Sequence, residues 1–204
     1  MRTGRRPWTA AFALTAGAAL AVLAAVVAPT SAQASVPVAA QPTGTITVFA
    51  AASLTGVFNG PMKAAFEKRY PGTTVVYTFA GSPTLVTQIR QGAPADVLAT
   101  ADVPNMNNAI SNGSIAVRRT VPLNPVLFAR NTMAIAMPKN NPARIRTLQD
   151  LARPGVRVGM CAAGVPCGTN ARLLLAKNGV SVTPVNLTTN VTQLLAQVQS
   201  GDLD

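Results

Sequence analysis

TITVFAAASLTGVF, residues 45–58, opens as an apolar, β-branched run and closes on a helical spacing, with three alanines and Ser53 at the join. Its first half reads as a buried β-strand and its second as the opening of a helix. Side chains this small cover nothing at the join, which leaves the main chain free to meet something that is not a side chain.

Working outward, Leu54, Phe58, Met62, Phe66 and Tyr70 recur at i+4 and predict one drifting helical stripe. Gly60-Pro61 falls inside it, and proline there removes a donor and collides with the preceding turn, so a kink or restart is expected. YPGTT predicts a turn, TTVVYTFA a second strand, SPTLVTQIRQG a helix and ADVLATAD a third strand. Strands alternating with helices predict parallel βαβ units and an α/β fold.

After residue 112 the texture changes. VPLNPVLFARNTMAIAMPKNNP is extended and punctuated by proline, as a crossing into a second lobe would be. LQDLARPG then reads as a short helix and turn, VRVGM as a strand, GTNARLLLAKNG as a helix ended by Gly179, and NVTQLLAQVQSG as another helix. The chain stops at GDLD with no further strand to pair, so it is expected to be a C-terminally truncated fragment whose second lobe is incomplete. The expected layout is residues 1–34 as a signal peptide, 35–43 as a flexible lead-in, 44–125 as a first lobe and 126–204 as the crossing segment with the partial second lobe.

The N-terminus supports export. Arg2, Arg5 and Arg6 precede the apolar run TAAFALTAGAALAVLAAVVA, and Ala32-Gln33-Ala34 suits signal peptidase, so cleavage is expected after Ala34. The competing expectation is a retained membrane anchor, because the run has the ~20 residues that span a bilayer. No cysteine lies near the cleavage site to carry a lipid.

Composition excludes much chemistry. The 204 residues contain no histidine, which removes Ser-His-Asp and Cys-His nucleophile systems and histidine-ligated metals. Glu67, Asp96, Asp102 and Asp150 are far apart in sequence, and Asp202 and Asp204 sit at the terminus, so nothing compels a carboxylate pair. The net charge is +11, or about +8 once the three leader arginines are removed, enough to steer anions toward the protein. Arg90, Arg118, Arg119, Arg130, Arg144, Arg153 and Arg172 are scattered, with little aromatic interleaving, so no nucleic-acid partner is expected. The two cysteines of CAAGVPC have five residues between them, outside redox or zinc spacing. A short Cys161–Cys167 disulfide and two free thiols both remain open.

The strand-to-helix join recurs. FAAAS and FAGSP each place a serine where a helix begins, Ser53 and Ser82, and MCAAGVPCGTN and TTNVTQ bring small or hydroxyl residues to two more helix starts. Helix N-termini present unpaired N–H groups and the positive dipole end, and in open α/β sheets such joins lie where ligands bind. The bland explanation is that serine is a good N-cap and alanine packs tightly.

TITVFAAASLTGVF, FAGSPTLVTQIRQGAPADVLATAD, PVLFARNTMAIAMPKNNP and VGMCAAGVPCGTNARLLL together resemble the molybdate-binding proteins of ABC importers, from about residue 44 to the end. The resemblance implies a two-lobed type II periplasmic binding protein, each lobe a mixed sheet flanked by helices, that closes over a tetrahedral oxyanion. It makes Ser53 and Ser82 hydroxyl donors, and Cys167, where the family usually has alanine, and Val191 main-chain N–H donors. The family's tyrosine donor and return crossing would lie beyond Asp204. It further implies a monomeric, non-enzymatic, exported protein with no cofactor. Its ligand would be molybdate, with tungstate in the same site, and its partner a membrane permease; sulfate, another oxyanion or a membrane-anchored oxyanion sensor are the alternatives. Exposed basic residues such as Arg118 and Arg119 would be candidates for the permease surface, against a simply solvated face. An exported transferase acting through Ser53 would need a base beside it, and Lys63 and Lys68 fall on a helix surface instead.

One physical argument on selectivity stands beside the resemblance. The joins at 50–54, 80–84, 164–169 and 189–192 contain no acidic residue. Protonated phosphate would leave its O–H unpaired among donors alone, which costs about 1–3 kcal/mol and favours fully deprotonated dianions.

Overall fold

A computed structural model describes residues 41–115 and 125–204. The leader at 1–34, most of the lead-in, and Arg118 and Arg119 lie outside the described residues.

The opening stretch is the central strand of its sheet. β1, Gly44–Ala51, runs from exposed to fully buried along its length and pairs in parallel with β2, Thr73–Ala80, and β3, Val97–Ala99, in the order β2-β1-β3. Strands on both sides explain its apolar composition. Val48, Ala50, Phe58, Val75 and Ala99 form the core of this lobe, with Ile46, Leu54, Tyr77 and Phe79 packed against them. The register sets Ala51 beside Ala80, so the chain leaves β1 and β2 at the same edge.

The break expected at Gly60-Pro61 is present and has a consequence for packing. α1, Thr55–Val57, passes into a π-type segment, Phe58–Met62, where Gly60 is non-helical at φ −110° and ψ −105°, before α2, Lys63–Arg69. Phe58 stays buried, its ring 5.8 Å from that of Tyr77, whereas Met62 and Phe66 beyond the break are 47% and 37% exposed. The single stripe read from i+4 spacing is therefore cut in two. α3, Ser82–Arg90, and α4, Val103–Ser111, complete the first lobe among the described residues.

The second sheet pairs β4, Gly159–Cys161, with β5, Asn186–Thr188, again in parallel, and α5, Pro166–Lys177, connects them. β4 begins later than VRVGM suggested, although Val185 extends the ladder by donating its N–H to the Val158 carbonyl at 2.9 Å. β5 is a strand that the sequence did not reveal: three residues, two of them exposed, carry too little pattern. α6, Val191–Ser200, lies against β4, where Leu194 and Leu203 fill the space beside Gly159. Of the mixed sheets expected, only parallel pairings occur among the described residues. The segment from 125 to 137 is extended without a strand partner among them, and Phe128 reaches back to place its ring 6.1 Å from that of Phe58. No helix among the described residues is long and apolar enough to cross a membrane.

Candidate functional site

Four chain joins converge, two from each lobe. The first is a single 3₁₀ turn, Ala52–Leu54, whose N-cap is Ala51 and which has no side-chain cap; Ser53 on it is exposed. The second is the start of α3, where Gly81 is the N-cap and Ser82 is the first helical residue, followed by Pro83. Neither serine caps its helix, so the explanation of serine as a mere N-cap does not hold. Ser82 is 1% exposed, and its Oγ accepts the N–H of Ala101 at 3.0 Å, which leaves its own proton to be donated elsewhere.

In the second lobe β4 ends at Cys161 and α5 begins at Pro166, with Val165 as an N-cap that offers no side-chain acceptor. Cys167 is the second residue of that helix. The question left open by the sequence resolves to a Cys161–Cys167 disulfide, with Cα atoms 5.7 Å apart, that ties the strand end to the helix start. α6 begins at Val191, and Asn190 caps it by accepting the N–H of Gln193 at 3.0 Å. That bond uses a donor one turn in and leaves the first N–H groups of the helix unclaimed by the cap.

Ser53, Ser82, Cys167 and Val191 all line one cavity of about 1030 Å³. It is far larger than a tetrahedral ion requires, because it continues beneath the extended segment 131–137 and over the largely apolar residues of the second lobe. Its charged lining is Arg146, Arg157 and Asp204. Asp204 is engaged: Arg157 donates Nη2 at 2.7 Å, Nε at 3.3 Å and its main-chain N–H at 2.8 Å to the carboxylate, which holds that carboxyl below the usual range. Among the described residues the cavity therefore offers hydroxyl and main-chain donors and no unpaired carboxylate. No group of three or more His, Cys, Asp or Glu that could hold a metal ion occurs among them. The arrangement can bind an anion by hydrogen bonds and dipoles; a general base beside Ser53 is not among its lining residues.

Sequence reasoning missed the residues behind the joins. The Ala101 N–H that orients Ser82 and the Arg157–Asp204 pair have no local signature. Asn105 is another: 8% exposed, it donates to the Asp102 carboxylate at 2.7 Å and, at the outer limit of a hydrogen bond, to the Gly164 carbonyl of the second lobe at 3.5 Å.

Residues 46–204 match the family described as Bacterial extracellular solute-binding protein. Over 159 residues the chain is 40% identical to the molybdate-binding protein ModA of Mycobacterium tuberculosis (strain ATCC 25618 / H37Rv), an alignment that covers 78% of this chain and 58% of that protein. Among solved structures, the sulfate-binding protein SubI from Mycobacterium tuberculosis H37Rv superposes with a TM-score of 0.54 at 18% identity, covering 80% of this chain and 63% of that one. The Azotobacter vinelandii periplasmic molybdate-binding protein gives 0.52 at 21%, covering 78% and 68%. At such identities these two likenesses concern the fold alone. The chain spans a little over half the length of the curated relative, 58%.

Proposed function

The chain belongs to the bacterial extracellular solute-binding proteins, and from that premise we propose that it captures molybdate, and tungstate with it, for delivery to the membrane permease of an ABC importer. Ser53 and Ser82 donate their hydroxyls, Cys167 and Val191 their main-chain N–H groups, and the two lobes close on the ion without covalent chemistry. The family is extracytoplasmic; the leader cleaved after Ala34, the lobe boundary at 125/126 and a monomeric state belong to the same proposal.

The observation that carries it is the set of helix starts facing one cavity without a side-chain cap, at Ala51, Gly81 and Val165, beside a buried Ser82 whose proton is free. Orphan N–H groups need an acceptor, and a dianion supplies four oxygens at once. With Asp204 occupied by Arg157, the acid of phosphate finds no free carboxylate to accept its proton, whereas molybdate, tungstate and sulfate bring no proton. Positive net charge raises the capture rate more than the selectivity.

Calorimetry and thermal unfolding with molybdate, tungstate, sulfate and phosphate test this. Molybdate at a thousand times its dissociation constant should stabilise the protein by about 4 kcal/mol, with phosphate inert. A cooperative transition that no oxyanion moves would remove the assignment; one moved by sulfate but not molybdate would reassign the ligand.

A further inference from the structure

Nothing in the backbone conformation of Gly81 requires glycine. As N-cap of α3 it has φ −63° and ψ 142°, a conformation open to any residue. A Cβ built there would meet, as its three nearest neighbours, only atoms of the other lobe: the Thr189 carbonyl oxygen closer than 3.0 Å, the Thr189 carbonyl carbon at 3.4 Å and the Asn190 Cβ at 3.9 Å. These atoms form the join that leads into α6 and Val191. Two further contacts span the same seam, Thr192 donating its hydroxyl to the Ala52 carbonyl at 3.3 Å and Asn105 reaching Gly164.

We infer that Gly81 is a positioning residue that sets how closely the lobes approach: its missing side chain seats the Thr189 carbonyl against the join that carries Ser82. The inference rests on the oxyanion assignment. A small ion can be grasped from both lobes only if Ser82 and Val191 stand within hydrogen-bond reach of it together, and donor distances tolerate only a few tenths of an ångström. A methyl group at residue 81 would hold the two joins apart by roughly 1 Å, the difference between the present approach and ordinary contact. The first lobe would fold as before, since nothing in it stands in the way of the methyl group among those nearest atoms.

The experiment compares the full chain with Gly81→Ala and, as a control, Gly56→Ala, where a Cβ would meet nothing within 4 Å. Molybdate affinity and dissociation rate, ligand-free melting temperature and the radius of gyration from X-ray scattering are measured for each. Gly81→Ala should weaken molybdate binding roughly ten- to a hundredfold, mostly through faster release, with a larger radius of gyration and a ligand-free melting temperature lowered no further than loss of a glycine N-cap lowers it. Gly56→Ala should leave molybdate binding and the radius of gyration unchanged and, as alanine in a helix, should not lower the melting temperature. If wild type binds and Gly81→Ala binds equally well, the positioning role is overturned while the oxyanion assignment stands. A Gly81→Ala protein that melts far lower without ligand than loss of a glycine N-cap explains, or does not fold, assigns Gly81 a packing role and overturns it too. If wild type binds no oxyanion, the functional assignment fails separately, and an unchanged radius of gyration in Gly81→Ala then overturns the positioning role.

Discussion

Arg172, in the second turn of α5, donates Nη1 to the carbonyl of Cys161 at 3.1 Å as well as to that of Gly168 at 3.0 Å. One guanidinium thus ties the strand end at Cys161 to the helix start beside Cys167. Arg172→Leu should lower stability by about 1–2 kcal/mol, a charged hydrogen bond discounted for partial exposure, and weaken molybdate binding without changing the preference among oxyanions. Denaturant unfolding and calorimetry check both.

Gly168 marks where this helix start rests on the strand end. A Cβ there would run into the main chain of Cys161 and Ala162, with no flexible side chain to yield. Gly168→Ala should cost roughly 1–3 kcal/mol by overpacking, visible as a lower ligand-free melting temperature. The contrast with Gly81→Ala is diagnostic, because one clash lies within a lobe and the other across the seam.

The Cys161–Cys167 bridge closes a short loop, so loop entropy limits its contribution to roughly 2 kcal/mol. Its larger effect should be on order in the loop that presents the Cys167 N–H. Treating the protein with dithiothreitol should lower the melting temperature modestly and weaken molybdate binding by less than about tenfold. Calorimetry on oxidised and reduced samples of the same preparation reads this directly.

Ser82→Ala removes a proposed donor and also strands the Ala101 N–H at a 1% exposed position. Stability should fall by about 1–3 kcal/mol and oxyanion affinity by roughly tenfold or more. Ser53→Ala, at an exposed position, should affect affinity with little change in melting temperature, so the two serines separate a structural from a purely ligand-directed role.

Asp150 gives a pH test. Its carboxylate accepts the main-chain N–H of Arg146 and of Thr147, each at 2.8 Å, and these bonds, that of Arg146 foremost, hold its carboxyl below the usual range. A depressed folded value contributes stability at all pH above the unfolded one and loses it as pH falls through the folded one. Asp150→Asn should therefore be less stable than wild type at neutral pH, with the gap closing below about pH 4. Melting curves on both proteins across that range measure it.

Much of this fold was written locally. The β-branched run at 45–51 marked a buried strand, Gly60-Pro61 marked the break, and small residues at four joins marked helix starts without room for covering side chains. Each of these signals acts within a few residues, through backbone sterics, burial and the orphan donors of a helix end, and so survives in one dimension. The identity of the donors at Ser53, Ser82, Cys167 and Val191 came from family resemblance joined to that pattern.

What lies between those joins was decided in three dimensions. That Ser82 sits inside its helix and gives up a lone pair to Ala101 depends on where β3 delivers the chain. β5 exists because β4 offers an edge, and three residues, two of them exposed, state no preference of their own. The apposition of Gly81 and Thr189, of Asn105 and Gly164, and of Arg157 and Asp204 joins residues remote in sequence, for which no periodicity or cap is required. Local chemistry produces each donor; only the packing of one lobe on the other decides whether the donors can meet on a single small ion.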